Sequence, residues 1–344
     1  MRKPVRLAHH GRMTIESLSD LPTACDIDEA AKRLHGVVVH TPLLRNPMLD
    51  RLTGGQVFLK AESLQLTGSF KFRGAFNMLS QIPPERRRAG VVAFSSGNHA
   101  QGVAAAARRL DIPAVIVMPA DAPLAKREGT AAYGAEIVLY DRNTEDREAI
   151  ARAIAMQREA ILVPPFDHPQ IMAGQGTAGR EIMDDLGELG LAPDVVLVPA
   201  SGGGLMAGIA LAVRARAPFA RMVMVEPQGF DDHARSFASG RRERNERSSG
   251  SICDALMSTA PGELTFAVNR ELIETVIAVD DHAVMEAMRF AFRNLRLVLE
   301  PGGAIALAAL MMGLVDISNR VAVAVLSGGN VDARMFAGLI QEPA

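Results

Sequence analysis

The sequence is poor in cysteine, in long apolar runs and in excess charge of either sign. Cys25 and Cys253 are its only cysteines, which argues against a disulfide framework or a cysteine-rich zinc site and is typical of a reducing cytoplasm. The longest apolar run, residues 303–315, is shorter than the roughly 18 to 20 residues of a membrane helix. We therefore expect a cytoplasmic protein that does not enter a membrane.

The charges nearly cancel, since 37 lysines and arginines stand against 39 aspartates and glutamates. Without a broad positive field the chain is not expected to bind nucleic acid, and a small-molecule ligand is favoured. Its 344 residues, of which 48% are hydrophobic, suffice for two domains or one large α/β unit. The charge-dense segment 239–250 is flanked by glycine and predicts a solvated loop.

Short β-branched runs alternate with helical patterns from about residue 55 onward. Such runs are typical of strands covered on both faces, and the alternation predicts βαβ units that form parallel sheets. The predicted strands are residues 57–59, 91–94, 114–118, 136–139, 161–163, 195–198, 222–225, 276–279 and 321–326.

The first motif that can carry chemistry is the octapeptide 67–74, which places Lys71 between two phenylalanines. Lysine is scarce in this chain, and an amine can form a Schiff base whereas a guanidinium cannot. The octapeptide fits equally well a surface lysine whose aliphatic part covers apolar residues. The motif alone leaves both interpretations open.

Two further motifs follow predicted strands and begin helical patterns. Residues 95–102 (SSGNHAQG) stand where a substrate carboxylate can bind, at a strand end and a helix N-terminus, although an ordinary helix cap would explain part of the motif. Ser201 to Leu205 (SGGGL) contains three glycines whose backbone N–H groups can surround a phosphate. Together with Glu226 it also approaches dinucleotide-site spacing, so an NAD-dependent dehydrogenase is a rival hypothesis, one that leaves Lys71 without a role.

The last motif, residues 326–330 (LSGGN), would by itself be a turn. In this order, however, the four motifs resemble the fold-type II family of pyridoxal phosphate enzymes, and within it the threonine/serine dehydratase and serine racemase branch. His40-Thr41-Pro42-Leu43 and Glu300-Pro301 also stand in their expected places. The resemblance runs from about Ile27 to the C-terminal end.

The resemblance implies an α/β fold of two open, twisted parallel-sheet domains, like the tryptophan synthase β fold. The large cofactor-binding domain would comprise residues 1–87 and 171–344, and residues 88–170 would form a small inserted domain. The cofactor would lie in the cleft between them. We expect a homodimer or a larger homo-oligomer, since dimers are the commonest assembly of soluble enzymes.

The implied cofactor is pyridoxal 5'-phosphate, to whose aldehyde Lys71 would be joined as a Schiff base before acting as the general base. The other implied contacts are Phe70 beside the pyridine ring, Asn98 at the 3-hydroxyl, Ser201, Gly202, Gly203, Gly204 and Leu205 around the phosphate, and Ser327 at the pyridine nitrogen. Ser95, Ser96, Asn98 and His99 would bind the substrate.

A neutral serine at the pyridine nitrogen makes the ring a weaker electron sink than a carboxylate would, which favours elimination. The implied activity is therefore that of an ammonia-lyase that converts a small hydroxy amino acid, first of all threonine or serine, to a 2-oxo acid and ammonia. Ser96 stands where racemase-like members have an acid/base group, so amino-acid racemisation is an alternative. Arg147 aligns loosely with a substrate-side arginine of the racemases and would favour 3-hydroxyaspartate.

Residues 226–232 (EPQGFDD) look like the divalent-cation site of that branch. Glu226 and Asp232 would supply carboxylates and Phe230 its carbonyl, the oxygen ligands that Mg²⁺ or Ca²⁺ prefers. Acidic residues that complement a helix dipole are the alternative. One departure is Ala255, which stands where the branch usually has glycine against the cofactor, so its methyl group would crowd or tilt the ring. A serine hydrolase built on Ser96 and His99 lacks a nucleophile elbow.

Overall fold

The computed structural model describes residues 21–95, 97–122, 124–247 and 249–341, and its strands form two separate sheets. The strands are β1 (Leu43–Arg45), β2 (Gln56–Lys60), β3 (Val91–Phe94), β4 (Ala114–Pro119), β5 (Glu136–Tyr140), β6 (Ile161–Leu162), β7 (Val195–Pro199), β8 (Arg221–Pro227), β9 (Thr275–Val279) and β10 (Val321–Val325). The larger sheet has the order β1-β2-β10-β7-β8-β9, and the smaller has the order β5-β4-β3-β6.

The helices alternate with these strands. They are α1 (Ala24–Leu34), α2 (Pro47–Thr53), α3 (Lys71–Ser80), α4 (Pro84–Arg87), α5 (Asn98–Arg109), α6 (Leu124–Ala131), α7 (Arg147–Arg158), α8 (Pro169–Glu188), α9 (Gly204–Arg216), α10 (Asp232–Ser239), α11 (Glu263–Leu272), α12 (Asp281–Phe290), α13 (Pro301–Met311) and α14 (Ala333–Ile340). None of these helices is both long and apolar enough to cross a bilayer.

The predicted parallel α/β architecture is confirmed. All nine predicted runs form strands, and every described pairing is parallel except that of β1 with β2, which is antiparallel. The sequence did not predict β1, because a three-residue edge strand without a fully buried side chain has no apolar period to detect.

Both sheets are covered on both faces, as the continuous apolar strands require. In β7, Val195 and Leu197 pack in one core cluster and Val196 in another. Helix α13 belongs to the first cluster, and it is buried along nearly its whole length, as the apolar run at 303–315 predicts. In β3, Val91 and Val92 likewise belong to different clusters.

Helix α3 lies between the layers of the two sheets and packs against both α5 and α8. Glycine allows these close approaches, since a Cβ at Gly102 would lie 3.1 Å from the Lys71 carbonyl carbon, and a Cβ at Gly74 would lie 2.9 Å from the Ile171 oxygen. All strands of the smaller sheet fall within residues 91–162. The domain boundaries at residues 88 and 170 stay a prediction.

A buried ionic cluster fixes α3 to the layer of the larger sheet. The Arg73 guanidinium donates to both carboxylate oxygens of Glu62 at 2.8 Å and to those of Glu181 at 2.7 and 2.8 Å. Lys60 is also fully buried and lies 2.7 Å from Glu181. Lys60 also lies 3.5 Å from the partly exposed Asp185 carboxylate, so each buried cation has carboxylate partners, without which a buried charge is strongly destabilising.

Candidate active site

One cavity between the two sheets collects most of the predicted site residues. Its walls are formed where strands of both sheets end and helices begin, the position at which open α/β sheets bind ligands. Of the predicted cofactor and substrate residues, Phe70, Lys71, Ser95, Asn98, His99, Ser201, Gly202, Gly203, Gly204, Leu205 and Ser327 line the cavity. Ser96 lies outside the described residues.

Lys71 is the first residue of α3 and extends its amine into this cavity. The Nζ atom donates to the Pro165 carbonyl at 2.7 Å and lies 5.0 Å from the centre of the Phe70 ring. Desolvation lowers the pKa of Lys71 to about 8, an effect that the nearby Glu300 carboxylate partly opposes. About a tenth of the amine is therefore unprotonated, and nucleophilic, at pH 7.

The turn that precedes Lys71 is joined to the end of β10. The Phe70 N–H donates to the Ser327 carbonyl at 3.2 Å, and Ser69 and Gly328 form an isolated bridge. Ser327 is only 5% exposed and lines the cavity. These bonds bring the first and the last of the four motifs together, although more than 250 residues separate them.

The Asn98 amide is held by hydrogen bonds at both ends. Its Nδ2 donates to Glu300 Oε1 at 2.6 Å, and its Oδ1 accepts from Asn330 Nδ2 at 2.8 Å. Asn330 also donates to the Thr67 carbonyl at 2.7 Å. Because only an amide can donate and accept in this way, the partners set the orientation of Asn98. The sequence pattern did not assign a role to Asn330.

The segment Ser201 to Leu205, here called the glycine loop, has its carbonyls anchored from outside the cavity. His233 Nε2 lies 2.8 Å from the Ser201 carbonyl, Thr265 Oγ1 donates to the Gly202 carbonyl at 2.6 Å, and Asn269 Nδ2 donates to the Gly203 carbonyl at 3.1 Å. In a trans peptide the N–H points opposite to the C=O. The N–H groups of the three glycines therefore face the cavity that these residues line.

The glycine loop has no room for side chains. A Cβ at Gly202 would lie 2.3 Å from the Phe166 ring. At Gly203, whose φ is +92°, a Cβ would lie 2.7 Å from Asn269 Nδ2 and 2.9 Å from His233 Cε1. Converging N–H groups at the start of α9 form an anion site suited to a phosphate. A buried amine and a phosphate cradle in one cavity fit pyridoxal 5'-phosphate.

The smaller sheet contributes the opposite wall, here called the small-sheet rim: Ser95, Asn98, His99 and Arg147. Burial and the Lys71 charge lower the pKa of His99 to about 3, so the ring is neutral, and its Nε2 lies 3.0 Å from the Val163 carbonyl. Arg147 begins α7, is exposed, and has its guanidinium carbon 5.7 Å from the centre of the Phe94 ring. Among the described residues that line the cavity, Arg147 is the one arginine.

Glu226, Phe230 and Asp232 do not line the cavity and lie buried behind the glycine loop. Carboxylate oxygens of Glu226 and Asp232 and a ring nitrogen of His233 lie within 4.8 Å of one another. Burial and the neighbouring Asp232 raise the pKa of Glu226 well above its usual value, and burial raises the pKa of Asp232 to about 6. This chemistry suits a cation, which would keep both carboxylates ionised.

Several site residues had no detectable signal in the sequence. Thr265 and Asn269 lie on one side of α11, inside a helix whose pattern gives no hint of the glycine loop more than 60 residues earlier. Pro165 and Phe166 also line the cavity, and no role there was predicted for either from the sequence. Ala255, the residue that stands in place of the usual glycine, does line the cavity. A Cβ added at Gly302 would lie 3.6 Å from the Ala255 Cβ.

Comparisons with known proteins agree with this geometry. A family model described as pyridoxal-phosphate dependent enzyme matches residues 35–328. The L-threo-3-hydroxyaspartate ammonia-lyase of Pseudomonas sp is 45% identical, over 92% of this chain and 98% of that protein. The threonine deaminase structure from T.th. superimposes with a TM-score of 0.85 at 41% identity, over 90% of this chain and 99% of that one. Maize serine racemase gives a TM-score of 0.87 at 36% identity, over 92% and 96%.

Proposed function

The chain belongs to the family of pyridoxal-phosphate dependent enzymes, and from this premise we propose that it is an ammonia-lyase acting on a hydroxy amino acid. The products are a 2-oxo acid and ammonia. The observation that carries the proposal is the single cavity that holds both the Lys71 amine and the glycine loop. Relatives named as ammonia-lyases support the reaction class, and the family match favours it over the rival dehydrogenase hypothesis.

The residues that would hold the cofactor are Lys71 for the aldehyde, the glycine loop for the phosphate, Asn98 for the 3-hydroxyl and Ser327 for the pyridine nitrogen, with Phe70 beside the ring. When bound, pyridoxal 5'-phosphate supplies an electron sink for the electron pair left at the substrate Cα. The neutral Ser327 hydroxyl keeps that sink moderate, which favours prompt loss of a β-hydroxyl.

Lys71 moves the proton in this proposal. Its Nζ takes the proton from the substrate Cα, and its lowered pKa of about 8 keeps enough of the amine unprotonated for this role near neutral pH. The Pro165 carbonyl, 2.7 Å away, orients the amine. By the family resemblance, Ser96 is the candidate acid/base group for a racemase side reaction.

We assign the substrate as an acidic hydroxy amino acid, 3-hydroxyaspartate, ahead of threonine and serine. Asn98 and His99 at the start of α5 would bind the α-carboxylate through backbone N–H groups. Arg147 supplies a fixed positive charge on the same wall, where a second carboxylate of the substrate can reach it. Threonine and serine have no charge with which to use this arginine, and the Pseudomonas relative is named for 3-hydroxyaspartate.

We further propose that Glu226 and Asp232 bind a divalent cation, with the Phe230 carbonyl as the third ligand that the resemblance implies. Their shared burial and proximity support this assignment. The cation would stabilise the start of α10 behind the glycine loop and would not contact the substrate.

The cofactor assignment is tested with the purified protein and Lys71→Ala. We expect the wild type to absorb at about 410 nm, as a protonated Schiff base of pyridoxal 5'-phosphate does. Borohydride should bleach this band. Lys71→Ala should lack the band and all activity, whereas the control Lys32→Ala, at an exposed surface lysine, should keep both. A colourless wild type that binds a nicotinamide dinucleotide would overturn the proposal.

The substrate assignment is tested by measuring 2-oxo acid and ammonia from L-threo-3-hydroxyaspartate, threonine and serine. We expect the highest kcat/KM for the dicarboxylic substrate. Chiral chromatography of unreacted serine in the same samples measures racemisation. If serine racemises faster than it loses ammonia, the lyase assignment is wrong and the racemase alternative is correct.

A further inference from the structure

A buried polar cluster behind the glycine loop has side-chain atoms that nothing described in the chain satisfies. Glu226, Asp232 and His233 are at most 1% exposed. Asp232 Oδ1 accepts from Asn245 Nδ2 at 2.7 Å, but Asp232 Oδ2 has no hydrogen-bond partner among the described residues. The same holds for His233 Nδ1. A buried acceptor without a partner is costly, so these two atoms indicate a missing ligand.

The tautomer of His233 follows from its other nitrogen. Nε2 lies 2.8 Å from the Ser201 carbonyl, and since a carbonyl only accepts, Nε2 carries the hydrogen. The lone pair of the neutral ring is then on Nδ1, the atom without a partner in the described part of the chain. A ring nitrogen of His233 and the carboxylate oxygens of Glu226 and Asp232 lie within 4.8 Å of one another.

This arrangement reproduces a common feature of metal-binding histidines. The coordinating imidazole usually donates its second N–H to a backbone carbonyl or a carboxylate, which fixes both the tautomer and the ring orientation. In this chain the Ser201 carbonyl has that position. The Glu226 carboxylate is oriented in turn by the backbone N–H groups of His233 and Ala234, at 3.0 and 3.1 Å.

We propose that His233 binds a divalent first-row transition cation through Nδ1, together with Glu226 and Asp232, and thereby connects this ion to the glycine loop. The proposal goes beyond the cation site described above, whose ligands are all oxygen. It rests on the proposed function only in taking the glycine loop as the phosphate site.

The imidazole changes which ion the site selects. Oxygen ligands alone suit Mg²⁺, Ca²⁺ and Mn²⁺, whereas an added imidazole shifts the preference towards first-row transition ions, least for Mn²⁺ and more strongly for the later ions. The imidazole also couples the ion to the cofactor site. The coordinated ring donates to the Ser201 carbonyl and thereby holds the first peptide of the glycine loop in place. Loss of the ion would loosen this end of the loop, while Thr265 and Asn269 would still hold the next two carbonyls.

The direct test is pulsed electron paramagnetic resonance of the untagged holoenzyme loaded with Mn²⁺ after treatment with a chelator. A directly bound imidazole gives a nitrogen modulation, and we expect this modulation to change to the ¹⁵N pattern when the protein is labelled with ¹⁵N-histidine. Bound Mn²⁺ without a histidine-derived modulation, or no bound Mn²⁺ at all, overturns the proposal. This readout requires no catalytic activity, so it stands or falls separately from the ammonia-lyase assignment.

Two variants separate the ligand from the hydrogen bond. In His233→Gln the amide Nε2 can still donate to the Ser201 carbonyl, but the ring nitrogen is gone. We expect its Mn²⁺ affinity to fall by about 10- to 100-fold, with a much smaller change for Ca²⁺, while the cofactor band persists. His233→Ala loses both contacts and should also release cofactor faster. The exposed His282→Gln serves as the control.

The ratio of Mn²⁺ to Ca²⁺ dissociation constants is the decisive quantity for these variants. An unchanged ratio in His233→Gln, or a histidine modulation that survives the substitution, assigns the nitrogen to another residue and overturns the proposal. If His233→Gln does not fold, the wild-type measurement with ¹⁵N-histidine decides alone.

Discussion

The two walls of the cavity are built in different ways. The glycine loop presents backbone N–H groups, and its carbonyls are tied back by buried side chains, Thr265 and Asn269 among them. The small-sheet rim presents side chains, and Arg147 at its edge is exposed. A phosphate is the same for every substrate, so a backbone cradle can be rigid. The substrate differs between relatives, and a side chain can be exchanged without rebuilding the fold.

This difference teaches where changes of function can arise on such a scaffold. The names of the related proteins span hydroxyaspartate ammonia-lyase, threonine deaminase and serine racemase, and the solved structures of the latter two superimpose on this fold. Substitutions in the glycine loop should strongly weaken cofactor binding, whereas substitution of Arg147 in the small-sheet rim should redirect specificity. Four predictions test this contrast, from the largest expected effect to the smallest.

Gly203→Ala should distort the glycine loop and weaken cofactor binding. The left-handed conformation alone costs an alanine about 1 to 3 kcal/mol, and the overlap with Asn269 adds to this, so cofactor affinity should fall by about 100-fold or more. Equilibrium dialysis of pyridoxal 5'-phosphate measures the change. Gly190→Ala is the matched control, since Gly190 has a similar φ of +69° with nothing within 4 Å of a Cβ. Equal effects of both substitutions would contradict the rigid-cradle interpretation.

The pH dependence of cofactor capture tests Lys71, which lies between the walls. Because desolvation lowers its pKa from 10.5 to about 8, the unprotonated fraction increases steeply up to pH 8 and levels off above it. Capture by the apoenzyme should therefore be about 50-fold slower at pH 6 than at pH 8, and about 100-fold slower than on its plateau near pH 10. Nα-acetyl-lysine, an ordinary amine, is the reference and should still react faster with each step in pH above 8. A capture rate that keeps rising beyond pH 9.5 would indicate an ordinary, solvated lysine.

Arg147→Gln should change specificity without affecting the cofactor. A charged hydrogen bond to a substrate carboxylate is worth about 1.5 to 3 kcal/mol, so kcat/KM for L-threo-3-hydroxyaspartate should fall by about 10- to 100-fold. The value for threonine and serine should change by less than about twofold. Arg152→Gln, one turn further along α7 and also exposed, is the control. A uniform loss for all three substrates would show that Arg147 is structural.

Asn330→Asp should have the smallest effect, because Asn330 acts through Asn98. The carboxylate keeps the shape of the amide but cannot donate to Thr67 and Asn98, and at about 1 kcal/mol per lost hydrogen bond kcat should fall by about 5- to 30-fold. The visible band should shift, since the orientation of Asn98 is disturbed. Asn330→Asp with an unchanged spectrum and normal kcat would mean that Glu300 alone holds Asn98.

Much of the architecture could be predicted from the sequence, because buried parallel strands have a strong local signal. The run at residues 321–326 became β10, and the glycine loop follows β7 as the pattern indicates. The three residues of β1 were missed because their register is set by pairing with β2 and not by their own composition. Predicting that the first and last motifs lie in one cavity required the family resemblance, because their separation in sequence does not give their distance in space.

The supporting side chains could not be predicted for a physical reason. Asn269, His233 and Asn330 act through one or two side-chain hydrogen bonds that span 32 to 263 residues of sequence, and a polar residue in such a role looks like any helix or turn residue. Many of the residues that line the cavity could therefore be predicted from the sequence, whereas the side chains that hold them in position could not. His233 is the clearest case, because the resemblance named Glu226, Phe230 and its neighbour Asp232 but not His233 itself.

The anchoring of α3 by Arg73 has a consequence for motion. Lys71 moves with the layer of the larger sheet, because Glu62 and Glu181 hold its helix there. Gly102 on α5 contacts α3 without a side chain in between, which leaves a smooth surface between the two helices. We expect that opening of the cavity to admit an amino acid slides α5 along α3, so that the smaller sheet moves while Lys71 stays with the larger sheet.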